Sequence, residues 1–343
     1  MQDRGEEAAP GGDDGAAMTR DPSLRGLVRR VRARVARARR EDGIRTRVLA
    51  ERQRVLARTR AFGPADLEQL DSILRQAESV VSVRTVLDLP LGQRSPRLVA
   101  LRHDTDSDID NAVHFAEWEA ARGYKASYYV LHTDWYYREG FAGPPSRYVL
   151  RALERIQHLG HEIGLHNNAI TVALRSGRDP AEVLRSELDY LRRAGFDVVG
   201  TAAHGDALCR ALGYNNGEVF LEAPRPNHGP AARTITGSDP ASGRTLACDL
   251  QPVSMRSLGL TYEANFIENR YYVTDSHGRW NRPLDVAAQQ FDRRDAILAF
   301  LVHPAWWALA GEPVLARQAA DATDGAPAVQ ALLDEAGRAA PSQ

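Results

Sequence analysis

The chain has 343 residues, 43% hydrophobic and 26% charged, with a formal net charge of -1. This composition suits one large α/β domain with appendages, or two medium domains, and gives no global attraction to nucleic acid. Two isolated cysteines, Cys209 and Cys248, exclude a disulfide scaffold or a cysteine zinc site.

The opening residues are acidic and rich in Gly and Ala, without the apolar stretch of a signal peptide, and residues 1–22 read as a disordered N-terminus. No run approaches the roughly 18 apolar residues of a membrane-spanning helix, so a cytoplasmic protein is expected. Residues 23–95 read as an arginine-rich helical extension. Between Arg25 and Arg60 stand 14 arginines against three acids, Glu41, Asp42 and Glu51. Such a segment suits a solvated or oligomerising arm, or peripheral contact with an anionic inner membrane surface. A short helix is expected around Pro64 to Glu78, then a Val-rich stretch from Val80 to Leu87.

Residues 96–343 are expected to form the main domain, in which strands alternate with helices. Asp108 to Gly123 carries Ala112, Phe115, Ala116 and Glu119 at helical spacing, and Ala181 to Gly195 repeats the logic with Leu184, Leu188 and Leu191. Alternation of this kind implies βα units around a parallel sheet or barrel. The stretch from about Asn215 to Ser257 is rich in Gly, Pro and Asn and reads as loops with short strands.

Five strand-like runs end on residues able to bind a metal or move a proton: Asp104 and Asp106, His166, His204, Asp275, and His303. In a parallel α/β architecture these ends share one face. Asp104 and Asp106, two apart, point the same way if the strand persists, and a cation resolves the cost of two neighbouring carboxylates. His161 and His166 frame HEIGLH on opposite faces, so only one reaches the site, and His166 is followed by Asn167 and Asn168, which could orient a ligand. Asp206 is available to orient His204. His303 precedes Pro304, Trp306 and Trp307, whose rings would shield its imidazole for general-acid work. Trp118, Trp135, Tyr136 and Tyr137 suit either a sugar-binding cleft or core packing.

The ordered motifs RHDTD, GHEIGLHNN, AAHGD, TDSHGRW and LVHPAWW resemble the polysaccharide deacetylase (NodB-like) superfamily, in its bacterial branch with HD-x-D in place of TFDDG. The resemblance spans about Arg97 to Leu309. It implies a distorted (β/α) barrel with about seven strands, one divalent metal, commonly zinc, and hydrolysis of an N-acetyl group on an amino-sugar substrate. By position, Asp104 matches the catalytic base, Asp106 and His166 match metal ligands, and His303 matches the general acid. The second metal histidine of the common His-x-x-x-His motif falls on Ile170, which cannot ligate; His204 is expected to complete the set, with Asn168 or water as the alternatives, and the extra residue between Asp104 and Asp106 leaves their two roles interchangeable. Arg102, Asn168, Asp275 and Trp306 are the expected substrate contacts, with no nucleic-acid partner. The rival readings are a glycan-binding barrel that has lost its metal and a hydrolase cutting another C–N bond.

Overall fold

In the computed structural model, residues 60–90, 97–138, 143–224, 232–268, 270–292 and 297–309 are described. The first 22 residues, the arginine-rich segment to residue 59 and the chain beyond residue 309 lie outside them. Among the described residues, no helix is long and apolar enough to cross a membrane.

The order of elements is α1 (Pro64–Leu74), β1 (Ser79–Val81), α2 (Val83–Asp88), β2 (Leu98–Thr105), α3 (Ile109–Ala120), β3 (Ser127–Leu131), α4 (Arg147–His158) and β4 (Glu162–Asn167). There follow α5 (Ala169–Ser176), α6 (Pro180–Arg193), β5 (Gly200–Ala203), α7 (Ala207–Leu212), β6 (Arg233–Ser238) and β7 (Thr245–Leu250). The last are β8 (Tyr262–Glu263), β9 (Arg270–Thr274), α8 (Leu284–Ala288) and β10 (Ile297–Val302). The main sheet runs β8-β5-β4-β3-β2-β10-β9, every neighbour parallel, and β1 adds to β2. It curls into a half-barrel. β6 and β7 form a separate antiparallel pair.

Helices start where the local sequence supplies a cap. Asp108 accepts from the Asn111 amide at the head of α3, Ser146 from Val149 at α4, and Asp179 from Glu182 at α6, where Pro180 takes the first turn. α4 buries Val149, Leu150, Ala152, Leu153 and Ile156 along one stripe and ends in Arg155 and His158, which suit the negative end of its dipole.

Parallel strands covered on both sides read as continuous burial, and β2, β3 and β10 are buried at every position. β2 nevertheless carries LRHDT, because alternation sends its polar groups to different partners. His103 and Thr105 project to one face, where His103 Nε2 lies 2.6 Å from Glu119 of α3, while Arg102 and Asp104 project to the other. On that second face Tyr129 and Tyr262 share a hydroxyl contact of 2.9 Å, and their rings lie against Gly164 and Gly200. A Cβ at either glycine would fall inside van der Waals contact with the ring, so the glycine of HEIG is needed for close approach.

The segment from Arg60 belongs to this domain. β1 extends the sheet, Phe62 stacks on Trp307 at 4.6 Å, and the amides of Ala61 and Phe62 donate to the Trp306 carbonyl. Residues 60–90, placed in the extension by the sequence, thus pack against the sheet.

Candidate metal centre

The carboxyl ends of adjacent strands assemble the site. β2 delivers Asp104 and, one residue past its end, Asp106; β4 delivers His166, and the residue after β5 is His204. Asp275 and His303 follow β9 and β10 directly. Asp106 is turned by Ser107, a non-glycine residue at φ 64 whose amide donates to Asp134 Oδ2 at 2.9 Å. Left-handed backbone at such a residue is strained and is held by its neighbours.

His166 Nε2 lies 3.4 Å from Asp106 Oδ1 and 3.1 Å from His204 Nδ1, and His204 Nδ1 lies 3.7 Å from Asp106 Oδ1. A tetrahedral ion with bonds of about 2.0–2.1 Å separates its ligand atoms by about 3.3–3.4 Å, which these three distances bracket. The second ring nitrogen of His166, Nδ1, lies 2.8 Å from the Ala202 carbonyl and can only donate to it. In the neutral ring Nε2 then carries a lone pair aimed at Asp106, at His204 and, 3.4 Å away, at Asp104 Oδ2. Burial lowers the pKa of His166, against the pull of Asp104 and Asp106, and so favours that neutral ligand form. Asp106 Oδ1 is buried without a hydrogen-bond partner. Asp106, His166 and His204 thus bring one ligand atom each to a common point and could hold a metal ion.

Asp104 is clamped by Arg102, whose Nε and Nη2 each donate at 2.8 Å to one carboxylate oxygen. Burial would raise the Asp104 pKa, but the charge and hydrogen bonds of Arg102 outweigh it and hold the carboxyl well below the usual range. His303 shows the opposite balance. Burial pushes its pKa down, yet the Asp275 hydrogen bond and the charges of Asp275, Asp104 and Asp106 raise it to about 9. The bond joins His303 Nδ1 to Asp275 Oδ1 at 2.6 Å, and Asp275 also accepts from the His303 amide at 3.0 Å and from Trp307 Nε1 at 2.7 Å.

Three of the four expected substrate contacts are held by protein groups. Arg102 is spent on Asp104 and Asn265, and Asp275, fully buried, orients His303. Asn168 bonds Thr133, Asn216 and, through its amide, His132. Trp306 is half-buried beside Gly278 and its carbonyl anchors Ala61 and Phe62. Asp206 caps α7 and accepts from Thr171, so its hydrogen bonds serve those groups and not His204. His161 lies on the far side of the sheet, where it meets Ala116 and Ala126. Tyr136 and Tyr137 are sealed in the core, which removes them from any cleft. Ile170 is likewise fully buried, in the first turn of α5.

Two residues escaped the sequence reading. His132 directly follows β3, a sixth strand end with an imidazole, and accepts the Asn168 amide at 2.9 Å; the signal was SYYVLH. Asn216 is a fully buried hub in a stretch that reads as loop.

Comparison of the chain with family models, with curated proteins and with solved structures finds no match. The reading of the site rests on its chemistry.

Proposed function

We propose that the protein is a metal-dependent hydrolase that removes an N-acetyl or related acyl group from an amino-sugar-containing substrate, as a member of the polysaccharide deacetylase (NodB-like) superfamily. The observation that carries this reading is the pairing, on one edge of a parallel sheet, of three residues that could hold a cation with a carboxylate held ionised by Arg102 and an imidazole held protonated by Asp275. Amide hydrolysis needs those three functions together: charge stabilisation, a base and an acid.

Asp106, His166 and His204 would hold the ion, with zinc the metal that best suits a set of two imidazoles and a carboxylate. A divalent ion there would supply positive charge that acidifies a water molecule and polarises an acyl carbonyl. Asp104 accepts the proton of the attacking water, and the Arg102 clamp fixes the carboxylate and keeps it ionised. His303 holds a proton on each ring nitrogen. Asp275 fixes the Nδ1 proton, and Nε2 delivers its own to the departing nitrogen as the C–N bond breaks, giving acetate and a free amine. Ile170 is no obstacle, because His204 reaches the same acceptor cluster from the neighbouring strand.

The test is acetate release from a panel of N-acetylated sugars and sugar conjugates, with zinc or cobalt supplied and with chelator. Metal-dependent release that Asp104→Asn and His303→Ala suppress, in variants that still fold, supports the assignment. Release that persists undiminished in both variants contradicts it.

A further inference from the structure

Asn216 holds the backbone on both sides of the candidate metal centre, and its four hydrogen-bonding valences are all used. Its Oδ1 accepts from the amides of Ile170 at 2.9 Å and Thr171 at 3.4 Å, the uncapped first turn of α5. Its Nδ2 donates to Asn168 Oδ1 at 2.8 Å and to the His204 carbonyl at 2.9 Å. A side-chain amide has two donors and one acceptor oxygen, so this set fixes its orientation. The flipped amide would oppose donor to donor and acceptor to acceptor at these four contacts.

His204 stands one residue past β5, where the last rung of the β4–β5 ladder holds its amide and no strand pairing holds its carbonyl. Its amide donates to the Asn167 carbonyl at 2.8 Å, and Asn167 Nδ2 donates in turn to the Asn216 carbonyl at 2.9 Å. The amide of the preceding residue, Ala203, donates to Glu263 Oε1 at 2.6 Å. The Asn216 side chain thus grips the carbonyl side of His204, while its main-chain carbonyl holds Asn167, which accepts the His204 amide. The same side chain starts α5 so that Ile170 turns into the core.

We infer that Asn216 is a positioning residue that aims His204 at Asp106 and His166, and so makes an imidazole from β5 the third ligand. The inference rests on the metal-site reading above. Partners outside the ligand shell typically set metal affinity within 10–100-fold.

The experiment is cobalt titration of the untagged full chain, followed by affinity and visible absorption, for wild type, Asn216→Asp, Asn216→Ser and Leu153→Ala. Asn216→Asp keeps the acceptor for α5 but opposes the His204 carbonyl. Leu153 lies in α4 and is fully buried, so its truncation lowers stability by another route. The expected result is a cobalt affinity about 10–100-fold weaker with a changed spectrum in both Asn216 variants, and wild-type binding by Leu153→Ala. Wild-type affinity and spectrum in either folded Asn216 variant overturns the inference, and so does failure of both to fold, which would make Asn216 a folding determinant only. Wild-type protein that takes up no cobalt defeats the metal reading itself, a separate outcome.

Discussion

His303 and Asp275 stand at the ends of two adjacent parallel strands, and Nδ1 of the histidine meets Oδ1 of the aspartate at 2.6 Å. Asp275 is fully buried, so the imidazolium is the nearest compensation for its charge.

The His303 pKa is expected near 9 in metal-free protein, and Asp275→Asn is expected to bring it below the ordinary 6.5, since burial then acts with less opposition. Imidazole NMR titration measures both. A folded-state pKa raised from 6.5 to about 9 contributes stability on the order of 3 kcal/mol. That contribution is fully present below pH 6.5 and is lost as pH rises through about 9. A general acid of this kind also predicts acetate release that falls on the alkaline side, at lower pH in Asp275→Asn than in the wild type. Identical pH profiles would refute the pairing.

Removing the proton donor or the base is expected to cost about 10²–10⁴-fold in turnover. His303→Gln and Asp104→Asn should each show it while retaining metal. A loss in KM alone, with kcat unchanged, would assign these side chains to binding.

Ile170→His is expected to add no ligand. The side chain is sealed in the core, and a buried imidazole without a partner costs roughly 1–3 kcal/mol. Denaturant titration should show the loss of stability, and cobalt affinity should not rise. A gain in affinity would show that α5 can present a ligand after all.

Gly164→Ala is expected to destabilise the barrel by at least about 1–3 kcal/mol, because its methyl group enters the space of the Tyr129 ring. Adding Tyr129→Leu should recover part of the loss, read as a partial return of the unfolding midpoint.

Much of this architecture was legible because strand ends carry punctuation. The apolar runs before Asp104, His166, His204, Asp275 and His303 are strands, and the parallel arrangement brings their ends to one edge. What escaped depended on contacts distant in sequence. Arg102 and Asp104, two apart on β2, share a face by alternation, but the bond that holds Arg102 from the other side comes from Asn265, 163 residues away. Asp275 read as a substrate contact because the hydrogen bonds that bury it come from His303 and Trp307. Asn216 sits in a stretch without periodicity, and its four bonds join segments about 10 to 50 residues apart, which no local pattern records. The strand β1 was hidden by its brevity, three residues that pair only because β2 leaves that edge free.

The most direct test of the account is elemental analysis of purified, untagged protein beside His166→Ala and His204→Ala. The account predicts about one divalent ion per chain, falling sharply in both variants. Protein that holds no ion after zinc or cobalt has been supplied would contradict it, and the converging acceptors would then need another explanation.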